Sequence, residues 1–326
     1  MQLSLGRPKD RIAYYLAGIM RDALPYRVFE ARRRRLFARL AERPENAADL
    51  FSRVRYYNKM SPGGDAEGAI PIRSIPLKHS YYYYDLKGDA KHFGPHRRLR
   101  HRFGDVIRVP PEPTIVKSRP VGGDNANSVV MKLDRLRHFF MPRDDRGFDD
   151  KQPFAVWRGS IGNPARMRLV ERFVDHPRHD IGFSAGSPPG LAKARLSIRD
   201  HLAFRYVISV EGNDVATNLK WIMASNSVCL MPRPRFETWF MEGRLVPGVH
   251  YVELQDDFAD LEEKVAFCEA NPEQVMAIVA NAQRHVYQFT RPDCESQVSL
   301  LVLQKYLECT GQIDPEPFSS MFYDAD

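Results

Sequence analysis

The sequence predicts an α/β protein whose second half forms a doubly wound parallel sheet. From Pro153 onward, short apolar segments alternate with polar loops and amphipathic segments, the pattern of strand, loop and helix in such a sheet. A length of 326 residues suits two α/β domains of ordinary size or one large domain. The charged stretch Met141–Gln152 contains a proline and a glycine and indicates a linker. We therefore predict domains at 1–150 and 151–290 and a helical tail at 291–326.

The first half contains a basic helical segment and two short candidate strands. Apolar positions at helical spacing predict a helix over 26–59, in which Arg32–Arg35 form the densest basic run. This run is interpreted either as a solvated helix face or as a dock for anionic lipid headgroups or phosphosugars. Tyr81–Tyr84 and Pro113–Lys117 are predicted to be strands, because aromatic and β-branched residues favour extended backbone.

The elements of the second half place polar loops at one edge of the predicted sheet. Strands are predicted at 154–157, 206–210, 228–231 and 249–254, and helices at 215–224, about 257–270 and 272–289. A further helix is predicted to begin at Pro164, because proline is favoured at the first helical position and Asn163 can cap it. Loops after parallel strands lie at the carboxyl edge of the sheet, where ligands bind.

Composition and charge indicate a cytoplasmic protein with an anionic partner. The 48 basic and 41 acidic side chains give a net charge of +7, which suits sugar nucleotides, phosphorylated glycolipids, membrane surfaces or nucleic acid. The four cysteines are widely spaced and lack a C-x-x-C pair, which is typical of a reducing compartment. The apolar run Ile12–Met20 is broken by Gly18 and fits neither a cleavable signal nor a membrane span.

The loop after the first of these strands has the chemistry of a phosphate site. Arg158 offers a guanidinium fork, Gly159 allows close approach of backbone, and Ser160 offers a hydroxyl, all ahead of a helix that carries Arg166. A diphosphate between two sugars needs such donors. The alternative is an ordinary strand-to-helix turn with a solvated arginine, since a lone glycine-containing loop is a weak motif.

The next two loops carry groups that suit a sugar or ribose. The loop after the second strand and the helix that follows it contain Glu211, Gly212, Asn213, Asp214, Thr217, Asn218 and Lys220. Carboxylates and amides can bind hydroxyls and the lysine can bind phosphate, although Asn213 or Asp214 could equally cap the helix. In the third segment, Met231–Phe240, Glu237 lies among aromatic residues and could receive vicinal hydroxyls, or it could be a surface glutamate beside core aromatics.

Taken in order, these segments resemble glycosyltransferase family 90, and most closely its bacterial lipopolysaccharide and capsule branch. The strings that carry the resemblance are Lys117-Ser118-Arg119-Pro120, Asn125–Leu133, Arg137-His138-Phe139, Trp157-Arg158-Gly159, Glu211–Trp221 and Glu237–Gly243. They span about 75–290. The long strings Glu211–Trp221 and Glu237–Gly243 are specific, whereas Trp-Arg-Gly alone would be weak.

The resemblance implies a metal-independent, inverting transferase of the GT-B type, in which two Rossmann-like domains flank a cleft. The donor would be a nucleoside-diphosphate sugar, a UDP-sugar, held by 151–290; the acceptor, a lipopolysaccharide core or related glycan, would be held by 1–150. No cofactor is expected. An Asp-x-Asp pair that could hold a divalent ion occurs only at Asp324-Ala325-Asp326. His176 and His179 are interpreted as surface residues rather than as a metal site.

The resemblance also implies roles for single residues. Arg158, Gly159 and Ser160 match the donor-phosphate loop of the eukaryotic protein O-glucosyltransferases. Asn218 falls where those relatives carry an arginine, so that Lys220 or Arg166 would supply the charge. Glu237 resembles the carboxylate that binds donor hydroxyls in many two-domain glycosyltransferases.

The catalytic base is the least determined residue. The eukaryotic relatives place an aspartate in an Arg-Asp-Tyr-Pro turn, a string that this chain lacks. Placing Lys117–Pro120 at that turn leaves Asp124 nearest in sequence, although Asp124 also fits a simple turn residue. The other alignment places the base at Asp85, directly after the tyrosine segment. Both assignments stay open at this point.

A different class of function, nucleic-acid binding, is prompted by Arg32–Arg35, Arg97-Arg98 and the net positive charge. The basic residues are scattered and no standard nucleic-acid-binding module is recognisable, so we expect no nucleic-acid partner. We expect instead a nucleotide-sugar donor, a glycolipid or glycan acceptor, and a cytoplasmic protein in peripheral contact with the inner membrane.

Overall fold

The computed structural model describes residues 8–184 and 188–324. Two compact units are present: one runs to Arg137 and resumes at Arg291, and the other spans His138–Thr290. Both contain helices and parallel strands, so the predicted α/β class is confirmed. Ala325 and Asp326, and with them the Asp-x-Asp pair of the C-terminus, lie outside the described residues. No helix in the described part of the chain is long and apolar enough to cross a membrane.

The first unit is mainly helical. Its helices are α1 (Pro8–Ala23), α2 (Tyr26–Glu42), α3 (Ala48–Tyr57), α4 (Ser80–Ala90) and, from the C-terminal part, α11 (Pro292–Cys309); α5 (Arg135–His138) lies at its end. Its strands are β1 (Ile70–Pro71), β2 (Arg98–Leu99), β3 (His101–Arg102), β4 (Thr114–Val116), β5 (Ser118–Pro120) and β6 (Ser128–Val130). β3, β4 and β6 form a parallel sheet, while β1 pairs antiparallel with β2. The core of the unit lies where α3 and α4 pack on the buried helix α11.

Two predictions for the first unit need correction. Tyr81–Tyr84 is not a strand but part of α4. The ring of Tyr84 packs against α1 at Gly18, where an added Cβ would lie 2.6 Å from it, and this helix–helix packing overrides the strand preference of tyrosine. The predicted helix over 26–59 is interrupted after Glu42, because Pro44 cannot continue it and starts a short 3₁₀ turn instead. The strand predicted at Pro113–Lys117 is confirmed as β4.

The second unit is built on a five-stranded sheet. The strands of the sheet are β7 (Gln152–Gly159), β8 (Asp180–Phe183), β9 (Phe204–Ile208), β10 (Val228–Met231) and β12 (Val252–Glu253), and β11 (Phe236–Thr238) lies outside it. Its helices are α6 (Pro164–Phe173), α7 (Ile198–His201), α8 (Leu219–Met223), α9 (Leu261–Ala270) and α10 (Pro272–Tyr287). The sheet order is β12-β10-β9-β7-β8 and every neighbouring pair is parallel. Its core is filled by branched and aromatic side chains from the sheet and from α6, α9 and α10.

The predicted alternation of strand and helix in this unit is confirmed, with two changes. The helix after β7 begins at Pro164, and the side chain of Asn163 accepts the backbone N–H of Ala165 as its cap. β7 extends through Gly159, so that Arg158 belongs to the strand and not to the loop. The helix predicted over 215–224 begins only at Leu219, because the residues before it form an irregular loop around Gly212.

Candidate active site

The strand order of the second unit creates a binding crevice at one place. From β7 the chain moves outward to β8 and then returns to β9 on the other side of β7. The connections that follow β7 and β9 therefore lead away from one another, and a crevice opens beyond the carboxyl ends of these two strands. Ligands of open parallel sheets bind at such a switch point. The loops after β7 and β9 are those that the sequence singles out.

The helix cap of α6 also joins these two loops. The Asn163 side chain accepts the N–H of Ala165 through Oδ1 at 2.7 Å and donates from Nδ2 to the carbonyl oxygen of Gly212 at 2.8 Å. One amide therefore starts the helix after β7 and positions the loop after β9. An asparagine suits this place because its side chain has both a donor and an acceptor.

Arg166 makes a second connection between the same loops. Its guanidinium donates to the carbonyl oxygens of Ser160 (3.2 Å), Val210 (3.2 Å) and Glu211 (3.1 Å). Gly212 leaves the room it needs, since an added Cβ there would lie 3.1 Å from Nη2. Burial lowers the pKa of Arg166. All three acceptors are backbone carbonyl oxygens. Among the described residues no carboxylate pairs with Arg166, so its positive charge is not neutralised.

A solvent-open cleft lies at this edge of the sheet. Its walls come from α6, from the ends of β9 and β10, and from the loop Met231–Phe236 that follows β10. Arg168, Arg233 and Arg235 contribute positive charge to these walls. Arg168 is exposed and donates to the backbone carbonyl of Asp256, which also lines the cleft. The cleft therefore combines apolar walls with several guanidinium groups.

Glu211 lines the cleft and also fixes the shape of the loop after β10. Oε1 accepts the backbone N–H groups of Arg235 (2.9 Å) and Phe236 (3.1 Å), and Oε2 accepts Nε of Arg235 (3.0 Å). Burial raises the pKa of Glu211, and these hydrogen bonds lower it by less. The carboxylate thus holds the rigid, proline-containing loop in place at the rim of the cleft.

Arg158 does not line the cleft. Its guanidinium forms an ion pair with Asp180 at 2.5 Å and donates to the carbonyl oxygens of Asp180 and Ala194, and only 5% of its side chain is exposed. Gly159 is needed because an added Cβ would lie 2.5 Å from the indole ring of Trp157. Ser160 is exposed and accepts Arg166 through its carbonyl oxygen.

The remaining predicted donor-site residues are distributed around the crevice. Lys220 is buried in an ion pair with Glu242, Nζ to Oε1 at 2.5 Å, with both side chains 1% exposed. Asn218 bonds Ser209 Oγ and the carbonyl of Ile208, which fixes the start of α8 to the end of β9. Thr217 is half-buried, Asn213 is exposed, and Asp214 and Glu237 are buried; none of these four lines the cleft.

Among the described residues, one group has the composition of a metal site: His176, His179 and Glu262. His179 is buried, so its interpretation as a surface residue is wrong. Each ring accepts a backbone N–H at Nδ1, from Ala155 to His179 and from Arg178 to His176, and its Nε2 faces the carboxylate. An imidazole that accepts at Nδ1 carries its proton at Nε2, whereas a histidine that binds metal through Nε2 donates from Nδ1. The two histidines directly precede β8, at the sheet edge opposite the cleft, and Glu262 lies in α9.

The two predicted bases lie in different environments of the first unit. Asp124 is exposed in a turn after Gly122 and Gly123, both with positive φ, and its Oδ1 accepts the N–H of Ala126. Asp85 lies in α4 and is buried. Both of its oxygens are engaged: Oδ1 accepts the Tyr14 hydroxyl at 2.7 Å and Oδ2 accepts the N–H of Arg135 at 2.8 Å.

The structure adds a third carboxylate that the sequence analysis missed. Asp134 follows β6, and because β4 and β6 are parallel neighbours it emerges at the same edge as Lys117. Its backbone has a φ of 59°, in the left-handed region that a non-glycine residue rarely adopts, and such backbone strain is concentrated at functional sites. Burial raises the pKa of Asp134 to about 6, while Arg137, at 3.0 Å, and Lys117 lower it by less. A carboxyl that titrates near neutrality suits acid–base chemistry.

Comparison with known proteins assigns the chain to a family. The family model described as glycosyl transferase family 90 matches residues 134–312, more than half of the chain. The chain is also 48% identical to O-glucosyltransferase LpsA of Dichelobacter nodosus over 268 residues, which cover 80% of this chain and 84% of the relative. The chain belongs to glycosyltransferase family 90. The resemblance seen in its sequence is confirmed, and with it the activity class of a glycosyltransferase.

More distant relatives match a shorter part of the chain. Human protein O-glucosyltransferase 3 is 28% identical over 167 residues, which cover 49% of this chain and 32% of that protein. Protein O-glucosyltransferase 2 of Danio rerio is 26% identical over 162 residues, with 47% and 32% covered. The range that the family model matches contains the whole cleft of the second unit and begins at Asp134.

Several residues that form the cleft escaped the sequence analysis. Arg168, Glu242 and Asp256 line it, but the sequence arguments stop at Arg166 and at Glu237. Helical spacing from Arg166 does not predict Arg168, because residues two apart in a helix lie on different faces. Asp256 lies after β12, and only the tertiary structure brings it to Arg168.

Proposed function

We propose that this chain transfers a glucosyl group from a UDP-sugar to a hydroxyl of a lipopolysaccharide core or related cell-surface glycan, with inversion at the anomeric carbon and without a catalytic metal. The family membership supports the transfer of a sugar, and the name of the Dichelobacter relative supports glucose. The lipopolysaccharide acceptor, the UDP moiety and inversion rest on the resemblance of the sequence strings. In the same way, a GT-B arrangement with the donor in the second unit and the acceptor in the first stays a prediction.

The observation that carries the donor site is Arg168, which lines the cleft from α6 at the switch point of the sheet; Arg166 does not line the cleft and supports it by holding the loops after β7 and β9. Arg166 and Arg168 donate to backbone carbonyls and, among the described residues, neither forms an ion pair. Arg233 and Arg235 at the same cleft are already paired with Glu253 and Glu211. A diphosphate brings negative charge and acceptor oxygens, and guanidinium groups bind both. The apolar walls of the cleft would then take the uracil and ribose.

Inverting transfer also requires a base for the acceptor hydroxyl. As the acceptor oxygen forms its bond to the anomeric carbon, the bond to UDP breaks and the hydroxyl proton passes to a carboxylate. We propose Asp134 for this role, because its carboxyl titrates near neutrality and its strained backbone fixes its position. Asp124, which the sequence suggests, is the alternative, and it differs from Asp134 in being open to solvent.

A direct test is to incubate the protein with a panel of UDP-sugars and truncated lipopolysaccharide, and to measure release of UDP and the anomeric configuration of the product by NMR. We expect UDP-glucose to be used and a β-linked product to form from the α-linked donor. Release of UDP with retention of configuration would overturn the inverting mechanism. Failure of every sugar nucleotide to bind would overturn the donor site.

Replacing Arg168 with alanine should weaken UDP binding by about 10- to 100-fold, since a hydrogen bond to a charged group contributes about 1.5–3 kcal/mol. Isothermal titration calorimetry with UDP measures the change. The matched control is Arg172→Ala, one turn further along α6, whose guanidinium lies 3.8 Å from Asp257 and which does not line the cleft. Equal losses in both variants, or none in Arg168→Ala, would contradict the donor site. For Arg158→Ala we expect lower stability, because the substitution removes the ion pair with Asp180.

Activity should survive chelation by EDTA, because arginine side chains and the N-terminus of α6 can meet the charge of the diphosphate. Initial rates of UDP release before and after EDTA treatment test this. Complete loss of activity that Mn²⁺ or Mg²⁺ restores would show that the metal-free mechanism is wrong.

A further inference from the structure

Helix α1 exposes an apolar face. The large side chains on this face are Ile12, Leu16, Ile19, Met20 and, just after the helix, Leu24, each between 47% and 69% exposed. The alanines at 13, 17 and 23 are also exposed, and they continue the same face. The charged residues of the helix from Arg11 onward, by contrast, are half-buried. A surface helix of a soluble protein normally shows the opposite arrangement, with its apolar stripe on the core.

Contacts on the inner side of α1 fix this orientation. The hydroxyl of Tyr14 donates to Asp85 at 2.7 Å, the hydroxyl of Tyr15 bonds Ser80 at 3.0 Å, and Gly18 lies against the ring of Tyr84. At the C-terminus, Lys91 Nζ donates to the carbonyl oxygens of Arg21, Asp22 and Leu24 at 2.7–2.8 Å. A lysine at this position satisfies carbonyls that the helix leaves unpaired. The helix therefore cannot roll to bury its apolar face without losing these bonds.

The next helix, α2, exposes a basic face. Its exposed side chains include Arg27, Arg32, Arg34, Arg35 and Arg39. The neighbouring Arg33 is turned inward, where its guanidinium donates to Gln304 at 2.9 Å and lies over the ring of Phe93. Arg33 is thus the residue of the basic run that the fold uses, whereas Arg32, Arg34 and Arg35 are exposed on the helix that follows α1 in the chain.

The clustering of exposed apolar side chains is unusual within this protein. Of the 16 large apolar side chains that are exposed in the described residues, six lie between Ile12 and Val28, and the others are scattered over the remaining chain. Single exposed apolar residues are normal, whereas a contiguous patch marks a contact surface. Exposed apolar side chains on one helix, followed in the chain by a helix rich in exposed arginines, are typical of a segment that lies in the interface of a membrane.

We propose that α1 inserts its apolar face into the surface of an anionic bilayer while the arginines of α2 bind the lipid headgroups. A bilayer fits better than a second copy of this chain, because anionic headgroups would bind the arginines of α2, whereas a symmetric contact that included α2 would bring two sets of five exposed arginines together. This assignment is independent of the donor chemistry. The sequence-based expectation of a peripheral contact rests on the arginine run alone. The structure adds α1 as the helix that inserts into the bilayer.

The test is co-sedimentation with vesicles of phosphatidylethanolamine and phosphatidylglycerol, compared with neutral phosphatidylcholine vesicles. We expect the wild-type protein to bind the anionic vesicles, and Leu16→Glu and Met20→Glu each to lower the partition coefficient by about tenfold or more, because an inserted apolar side chain becomes a charge. Arg34→Glu/Arg35→Glu should lower it as well, and added salt should weaken binding of the wild type. The matched control is Met276→Glu on α10, an exposed methionine outside the patch, which should bind like the wild type.

Four outcomes would overturn the proposal. The first is no vesicle binding by the wild type; the second is an equal effect of Met20→Glu and Met276→Glu. The third is a wild-type dimer in sedimentation velocity that Met20→Glu dissociates, which would assign the face to a second copy. Binding to duplex nucleic acid in place of vesicles would likewise contradict the membrane assignment. Because UDP affinity is measured separately, failure of this test leaves the proposed transfer reaction unaffected.

Discussion

Replacing Asp134 with asparagine is expected to lower turnover by about 10²–10⁴-fold while UDP affinity stays unchanged, which is the usual contribution of a positioned proton acceptor. Asparagine has nearly the same shape and tolerates the left-handed backbone that this residue adopts, but it cannot take a proton. Turnover is measured as UDP release at saturating donor and acceptor, and UDP affinity by calorimetry.

The matched variants are Asp124→Asn and Asp85→Asn. At the exposed turn, Asp124→Asn should keep near-normal turnover, because an amide preserves the bond to the N–H of Ala126. At Asp85, both carboxylate oxygens accept hydrogen bonds, from the Tyr14 hydroxyl and from the N–H of Arg135. Asparagine replaces one of these oxygens with an NH₂ group, which cannot accept, so we expect mainly a loss of stability. If Asp124→Asn is the inactive variant and Asp134→Asn turns over normally, the base is the one that the sequence alignment suggests.

The pH dependence of both activity and stability follows from the pKa of Asp134. As a base it must be ionised, so turnover should fall as pH decreases through about 6. Its folded-state pKa lies above the ordinary value of 3.8, so the folded protein binds this proton more tightly than the unfolded chain. The contribution of this proton to the free energy of unfolding is fully present below pH 3.8 and is lost as pH rises through about 6. Asp134→Asn should therefore increase the free energy of unfolding at pH 7–8, by about 1–3 kcal/mol, and change it little at pH 4.

The second unit could be predicted well from the sequence because its signals are local. The N-cap and proline at the start of α6 and the short apolar strands each depend on residues close in the chain. The carboxyl edge follows from the parallel topology, so the sequence alone predicts that the loops after β7 and β9 lie there. The contacts of each side chain at this edge do not follow from local sequence. Arg158 has a guanidinium group that could bind phosphate, yet it forms an ion pair with Asp180 on the neighbouring strand.

The first unit was harder to predict because its contacts are distant in sequence. The four tyrosines of Tyr81–Tyr84 have a strand-like composition, but α1, more than 60 residues earlier, packs on them and they form a helix. Asp134 was missed for the same reason. Its raised pKa depends on burial and on Lys117, which only the parallel pairing of β4 and β6 brings to the same edge.

Replacing Lys220 with methionine is expected to lower the free energy of unfolding by about 3–5 kcal/mol, since removing one partner of a buried ion pair leaves the other charge uncompensated. Glu242 would keep its hydrogen bonds from the N–H and hydroxyl of Thr238 but would lose its cation. Chemical denaturation measures the change, and the double variant Lys220→Met/Glu242→Gln should recover most of it. The matched control is Lys264→Met at the half-exposed pair with Asp260, where the loss should be below about 0.5 kcal/mol.

This variant also separates the two roles available to Lys220. The sequence assigns it to the phosphate of the donor, and the structure pairs it with Glu242, a residue that lines the cleft. If its role is to position Glu242, Lys220→Met will lose stability and the double variant will regain it together with UDP affinity. If instead Lys220 binds phosphate, both variants will lose UDP affinity to the same extent, and restoring the fold with Glu242→Gln will not restore binding.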